Sequence, residues 1–110
     1  MKEITDKYEL NAIIVKDKPG PINKLTSTNY PDKVKFECGC GETHRVNDSS
    51  LKIFAIALVV KFYFVCKNDY VTLVKVSGFF SQKATTIATF KKKLFKEYFE
   101  SLGLDVGDRL

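Results

Sequence analysis

The stretch FECGCGETH, residues 36–44, holds two of the three cysteines of the chain and its only histidine, and the third cysteine, Cys66, closes the apolar run KFYFVC. Together they spell C-x-C-x3-H-x21-C, and no Cys or His is left over. Three thiolates and one imidazole make up the donor set that a structural zinc ion fills as a tetrahedron. The pattern therefore demands that residues 38–44 and residue 66 meet at one point, whatever the rest of the chain does.

Local geometry allows that meeting. Cys38 and Cys40 are two apart, so on a strand they leave the same face. Gly39 and Gly41 beside them let the backbone bend so that the two sulfurs converge. His44 returns on the far side of a glycine turn, and Cys66 stands just before the turn residues KND, at the tip of a second hairpin. The expected site is Cys38, Cys40, His44 and Cys66 around one structural zinc ion.

Other chemistries use the same residues less completely. A redox pair or inert thiols would leave His44 unexplained, and no recognised signature surrounds a nucleophilic pairing of His44 with Cys40 or Cys66. A catalytic zinc keeps one position open for water, whereas four protein ligands close the shell. Neither the H-x-E with P-C-x-x-C pattern of zinc deaminases nor a phosphate loop occurs in the sequence. The expectation is a protein that is not an enzyme, with no small-molecule substrate.

Cys-x-Cys-Gly turns of this kind resemble those that present ligands in zinc-ribbon and zinc-knuckle proteins, over residues 36–46 and 64–69. The ribbons carry a second cysteine pair, whereas here only Cys66 lies on the far side. The chain is also similar to small zinc-site proteins of bacteriophages. That resemblance implies a binding or accessory role in a host cytoplasm.

The remaining sequence supplies the frame. A length of 110 residues, 45% hydrophobic with nine Phe and five Tyr, suits one domain with its own core. YELNAIIV (8–15) reads as a first strand. Residues 16–33 collect all three prolines and read as a long loop with one short element around Ile22 to Leu25. VKFEC (34–38) and THRV (43–46) read as a hairpin. LKIFAIALVVKFYFVC (51–66) reads as a long strand whose even positions are apolar, followed by KND as a turn and YVTLVKVSGFF (70–80) as its antiparallel partner. Residues 82–102 read as a helix begun by Ser81 or Thr86 and ended by Gly103, with Ile87, Phe90, Leu94, Tyr98 and Leu102 on one face. Residues 104–110 read as a loose tail. The fold class is α+β: an antiparallel sheet of four or five strands, one C-terminal helix packed on it, and one zinc site.

Charge is lopsided. Residues 1–50 carry eight basic and eight acidic groups, while residues 51–110 carry ten basic against five acidic and so supply the whole net charge of +5. Any polyanion surface belongs to this second half. Lys92, Lys93 and Lys96 cluster on the polar side of the expected helix, and Lys67 and Lys75 stand on the turn and strand before it. A nucleic-acid-binding module follows as the leading function. The alternative is a protein–protein adaptor or inhibitor that works through the 16–33 loop or through Phe95 and Phe99, which widen the apolar arc of the helix and either complete a broad core face or form a partner patch. The first nine residues are charged throughout and the longest apolar run, IFAIALVV, has eight residues. A helix needs about 20 to cross a membrane, so a soluble, cytoplasmic protein is expected.

Overall fold

The structure is a computed structural model, and it describes residues 3–16, 22–25, 28, 30–56, 61–78, 81–101 and 103. In chain order the elements are α1 (Lys7–Lys16), β1 (Ile22–Leu25), β2 (Lys35–Glu37), β3 (Thr43–Arg45), β4 (Lys52–Ile56), β5 (Lys61–Val65), β6 (Tyr70–Ser77), β7 (Lys83–Lys91) and α2 (Lys92–Ser101). Five strands form one antiparallel sheet in the order β1-β4-β5-β6-β7, and β2 pairs with β3 alone. The α+β architecture, the five-stranded sheet and the C-terminal helix agree with the sequence reading.

Strand alternation sorts the core into two layers. Phe54, Tyr63, Val65, Val71, Leu73, Ala88 and Phe90 leave one face of the sheet and pack against Ile4, Leu10, Phe95, Tyr98 and Phe99 of the N-terminal segment and the two helices. Ile53, Phe64, Cys66, Val74 and Val76 leave the other face and meet Val34, Phe36, Cys38 and Val46 of the β2–β3 hairpin. Phe36 stacks on Phe64 at 4.7 Å between ring centroids. The hairpin is thus seated on the sheet by apolar contact, with its glycine turn directed to the Cys66 end.

Three elements depart from the sequence reading. Residues 8–15 are helical, within α1. Asp6 caps that helix: its Oδ1 accepts from the Glu9 N–H at 2.8 Å and its carbonyl accepts from the Leu10 N–H at 3.2 Å. Leu10 then faces the core, and Asn11 Oδ1 accepts from the Tyr98 hydroxyl of α2 at 2.9 Å. Asp6-Lys7-Tyr8-Glu9 has the spacing of a capping box, which outweighs the β-branched Ile13, Ile14 and Val15.

Residues 51–66 are not one strand. At about 3.3 Å per residue a single strand of that length would run about 53 Å, and the whole molecule extends only 39 Å along its longest axis. The segment doubles back as β4 and β5, with Lys52 opposite Val65 and Ala55 opposite Phe62. Residues 57–60 lie outside the described residues.

The third departure concerns residues 82–102. Their first half, KATTIATFK, is the edge strand β7 and only Lys92–Ser101 is helical, so neither Ser81 nor Thr86 starts a helix. Four β-branched residues (Thr85, Thr86, Ile87 and Thr89) favour a strand that β6 is long enough to pair. A bulge lies at Ile87, because Leu73 faces Ala88 while Val74 faces Thr86. The extra residue reverses the parity of the strand. Ala84 therefore packs on the hairpin side before the bulge, and Ala88 and Phe90 on the helix side after it.

Phe95 and Phe99, expected as a partner surface, are 1% and 2% exposed and complete the helix-side core. They cannot form an outward patch because α2 presents that side to the sheet. Gly103 follows the end of α2 as expected, its N–H donating to the Glu100 carbonyl at 3.0 Å. Leu102, residues 104–110 and, within the 16–33 loop, residues 17–21, 26, 27 and 29 lie outside the described residues, and the short element foreseen at Ile22 to Leu25 is β1. Along the outer edge of β7, Glu3 bridges Thr89 in parallel and the Ile4 N–H donates to the Thr89 carbonyl at 2.8 Å.

Candidate metal centre

Two turns face each other at one end of the sheet. The first joins β2 to β3: the Cys38 N–H donates to the Glu42 carbonyl at 2.9 Å and the Gly41 N–H to the Cys38 carbonyl at 3.1 Å. Gly41 sits at φ 93°, where a side chain would be strained. Gly39 serves a different purpose: a Cβ there would come within 2.8 Å of Thr89 Cβ and Tyr70 Cδ1. Its lack of a side chain lets the hairpin lie directly on β6 and β7. The second turn joins β5 to β6, with the Cys66 N–H donating to the Tyr70 carbonyl at 3.0 Å, the Asp69 N–H to the Cys66 carbonyl at 3.1 Å, and Asp69 at φ 63°.

These turns gather the four expected ligands. The Sγ atoms of Cys38, Cys40 and Cys66 and a ring nitrogen of His44 all lie within 4.8 Å of one another. Cys38 Sγ is 3.7 Å from Cys66 Sγ, and Cys40 Sγ is 3.5 Å from His44 Nε2. A disulfide would put two sulfurs about 2.05 Å apart. A tetrahedral ion with metal–sulfur bonds of about 2.3 Å and metal–nitrogen bonds of about 2.0–2.1 Å instead has S···S edges of about 3.8 Å and S···N edges of about 3.5 Å. These two edges match those of a metal tetrahedron, the remaining pairs extend to no more than 4.8 Å, and all three cysteines are free thiols. The arrangement fits one metal ion held by Cys38, Cys40, His44 and Cys66.

The surroundings set the charge of each thiol. Burial pushes Cys38 up to about 12, against the opposing hydrogen bonds from the Cys40 N–H and the Thr72 hydroxyl. For Cys40, burial is again the largest single influence and acts upward. The Glu42 N–H, the Asn68 side chain, His44 and Cys38 together outweigh it and bring this thiol down to about 7. The inner sulfur is thus protonated at neutral pH in the absence of a metal, and the outer one is poised to ionise.

Two supporting residues escaped the sequence reading. Thr72, fully buried on β6, donates to Cys38 Sγ at 3.3 Å and accepts from the Gly39 N–H at 3.4 Å. Asn68 reaches Cys40 from the opposite turn. Glu42 assists through its backbone rather than its carboxylate. The alternation of β6 marks position 72 as inward, but only the strand register shows that its hydroxyl meets a sulfur.

The lysines divide into two groups. Lys91, Lys92, Lys93 and Lys96 line one cavity of about 330 Å³ together with Asp69. Lys92 Nζ lies 3.2 Å from Asp69 Oδ1, and Lys96 Nζ is 3.8 Å from Glu100 Oε1. Lys67 is exposed in the neighbouring turn. Lys75 does not join them: it stands opposite Lys61, about 17 Å along β6 from Tyr70. Lys91 was absent from the expected set, and the β7–α2 junction is what brings it in. Among the described residues no helix is long and apolar enough to cross a membrane.

Comparison with protein-family models, with curated proteins and with solved structures gave no match for this chain.

Proposed function

We propose that the chain is a non-enzymatic, zinc-pinned module that binds nucleic acid through the lysines at the β7–α2 junction. The observation that carries this reading is the convergence of Lys91, Lys92, Lys93 and Lys96 on one cavity, with Asp69 the sole acidic residue lining it among the described residues. Zinc is the ion of choice for three thiolates and one imidazole in tetrahedral array. Because those four ligands fill the coordination shell, the ion fastens the two turns and leaves no position for a reacting water.

The charge order of α2 supports the same reading. Its first turn holds Lys92 and Lys93 and no acid, and its last turn holds no base, the reverse of what the helix dipole favours. Such an order costs stability in the free protein and is relieved when phosphates approach. Lysines neutralise phosphates as point charges and carry no sequence information, so the module would read backbone rather than bases.

Binding to a labelled single-stranded oligonucleotide across a salt series tests the proposal. Four phosphate contacts give a slope of log K against log salt near −2.8, at about 0.7 per contact. Replacing Lys92, Lys93 and Lys96 by Glu should abolish binding. A protein that retains no nucleic acid even at low salt overturns the reading. Metal analysis of protein purified without added metal should find one zinc per chain, lost in Cys66→Ser; a folded, metal-free protein indifferent to chelator would remove the zinc.

A further inference from the structure

The turn at residues 66–70 touches both features described above. Cys66 is a metal ligand and Asn68 reaches the sulfur of a second one, Cys40. Asp69, held at φ 63° by that turn, accepts from the Lys92 N–H through its carbonyl at 2.8 Å and pairs with Lys92 Nζ through its carboxylate at 3.2 Å. Next to it, Tyr70 lies in register with Lys91. The Cys/His cluster and the lysine-lined cavity thus share one five-residue segment of backbone, 66–70.

We infer that the cavity walled by Lys91, Lys92, Lys93 and Lys96 is a phosphate site, and that phosphate and metal bind cooperatively through the 66–70 turn. This rests on the nucleic-acid reading above and adds to it the ligand group and its regulation. The lining side chains are four lysines, whose aliphatic stems form most of the wall, and one aspartate, with no aromatic ring, amide or hydroxyl side chain among them to read a base or a sugar. A volume of about 330 Å³ is at the small end of ligand cavities and suits one phosphate or a short run of them. Asp69 is already paired with Lys92, so an entering anion meets a surplus of positive charge.

Cooperativity follows from the shared turn. Metal binding fixes Cys66 and the Cys40 that Asn68 touches, and so fixes the Asp69 that holds the first residue of α2. A phosphate that orders the lysines in turn steadies the same segment. By linkage each ligand raises the affinity of the other by one common factor.

The test uses the zinc-loaded full chain, with inorganic tripolyphosphate and a short single-stranded DNA as separate probes. Either probe should move the backbone amide resonances of residues 91–96 and also those of residues 66–70 and Cys40. Saturating probe should slow transfer of zinc to a chelator at least about fivefold, the lower end of ordinary coupling. In the cobalt-substituted protein the thiolate-to-metal absorption band should shift on adding probe, which general stabilisation of the fold would not produce. The double variant Lys93→Gln, Lys96→Gln, at exposed positions that leave the fold intact, should weaken tripolyphosphate at least about tenfold, in keeping with two lost phosphate contacts.

Response to tripolyphosphate identifies a site for free oligophosphate, and response to DNA alone identifies one that takes phosphate within a strand; both uphold the inference. Resonance changes confined to the Lys61–Lys75 end of the sheet, with DNA still bound, overturn the phosphate site and leave the nucleic-acid reading intact. Changes at 91–96 without change at 66–70, in the cobalt band or in zinc release overturn the coupling. Absence of binding to either probe overturns both.

Discussion

At Gly39 a methyl group has no room, because Tyr70 and Thr89 already occupy the space a Cβ would need. Gly39→Ala should destabilise the metal-loaded protein by ~1–3 kcal/mol, measured by denaturant unfolding. Thr72→Val keeps the shape of the side chain but takes the hydroxyl from Cys38 Sγ; metal affinity in chelator competition should fall about 10- to 100-fold. The two thiols with shifted ionisation also set a pH dependence. Cys38, pushed up to about 12, must lose a proton to the solvent whenever metal binds below that pH. Cys40, near 7, adds a second proton only as the pH falls through that value. The slope of log affinity against pH should therefore steepen by one unit below about pH 7, and a constant slope would contradict the assigned environments. The same shifts act on the metal-free fold with opposite signs. The Cys38 contribution is present below pH 9 and lost as pH rises towards 12, whereas that of Cys40 is present above 9 and lost as pH falls through 7. The ligands themselves were legible in the sequence because Cys and His are rare and chemically specific. Thr72 and Asn68 were not, since which hydroxyl or amide meets a sulfur depends on strand register.

Among the elements, β7 depends most on a single residue. Ile87 is the bulge and is 36% exposed, so Ile87→Ala should cost less than truncating a fully buried residue, no more than about 1 kcal/mol. Deleting the same residue removes the parity change, and either Ala84 and Thr86 or Ala88 and Phe90 then face the wrong layer. Loss of buried Phe90 alone is worth about 3–5 kcal/mol, so the deletion should unfold the domain or leave it molten, as thermal melts of the two variants would show. This bulge also explains why residues 82–91 passed for a helix. Apolar residues at 87, 90 and 94 match helical spacing, yet Phe90 reaches the core from a strand whose phase has slipped by one. The 51–66 segment concealed its reversal because both halves are apolar on both faces, as strands buried between two layers must be. Only its length against the size of the molecule betrays the turn. At residues 8–15 the informative signal was present in Asp6 and Glu9, outside the apolar pattern that suggested a strand.

For the molecule as a whole, the two sheet faces would depend on a bound metal to different degrees. The helix-side layer is built from α1, α2 and four strands, while the β2–β3 hairpin adds to its apolar seat the Cys38, Cys40 and His44 side chains that gather with Cys66 at the 66–70 turn. Chelation should therefore raise amide hydrogen exchange first in residues 34–46 and 66–70, and only later in β5–β7. Simultaneous loss of protection everywhere would instead mean that the metal holds the entire fold. The other end of the clasp has a consequence for how a ligand is met. Strand β7 passes into α2 between Lys91 and Lys92 with no intervening loop, so three consecutive lysines ride on backbone that pairing and helical bonding have already ordered. A ligand has only side-chain rotamers left to freeze, at about 0.5–1.5 kcal/mol each. Capture should then be a single fast encounter with no slower folding step behind it.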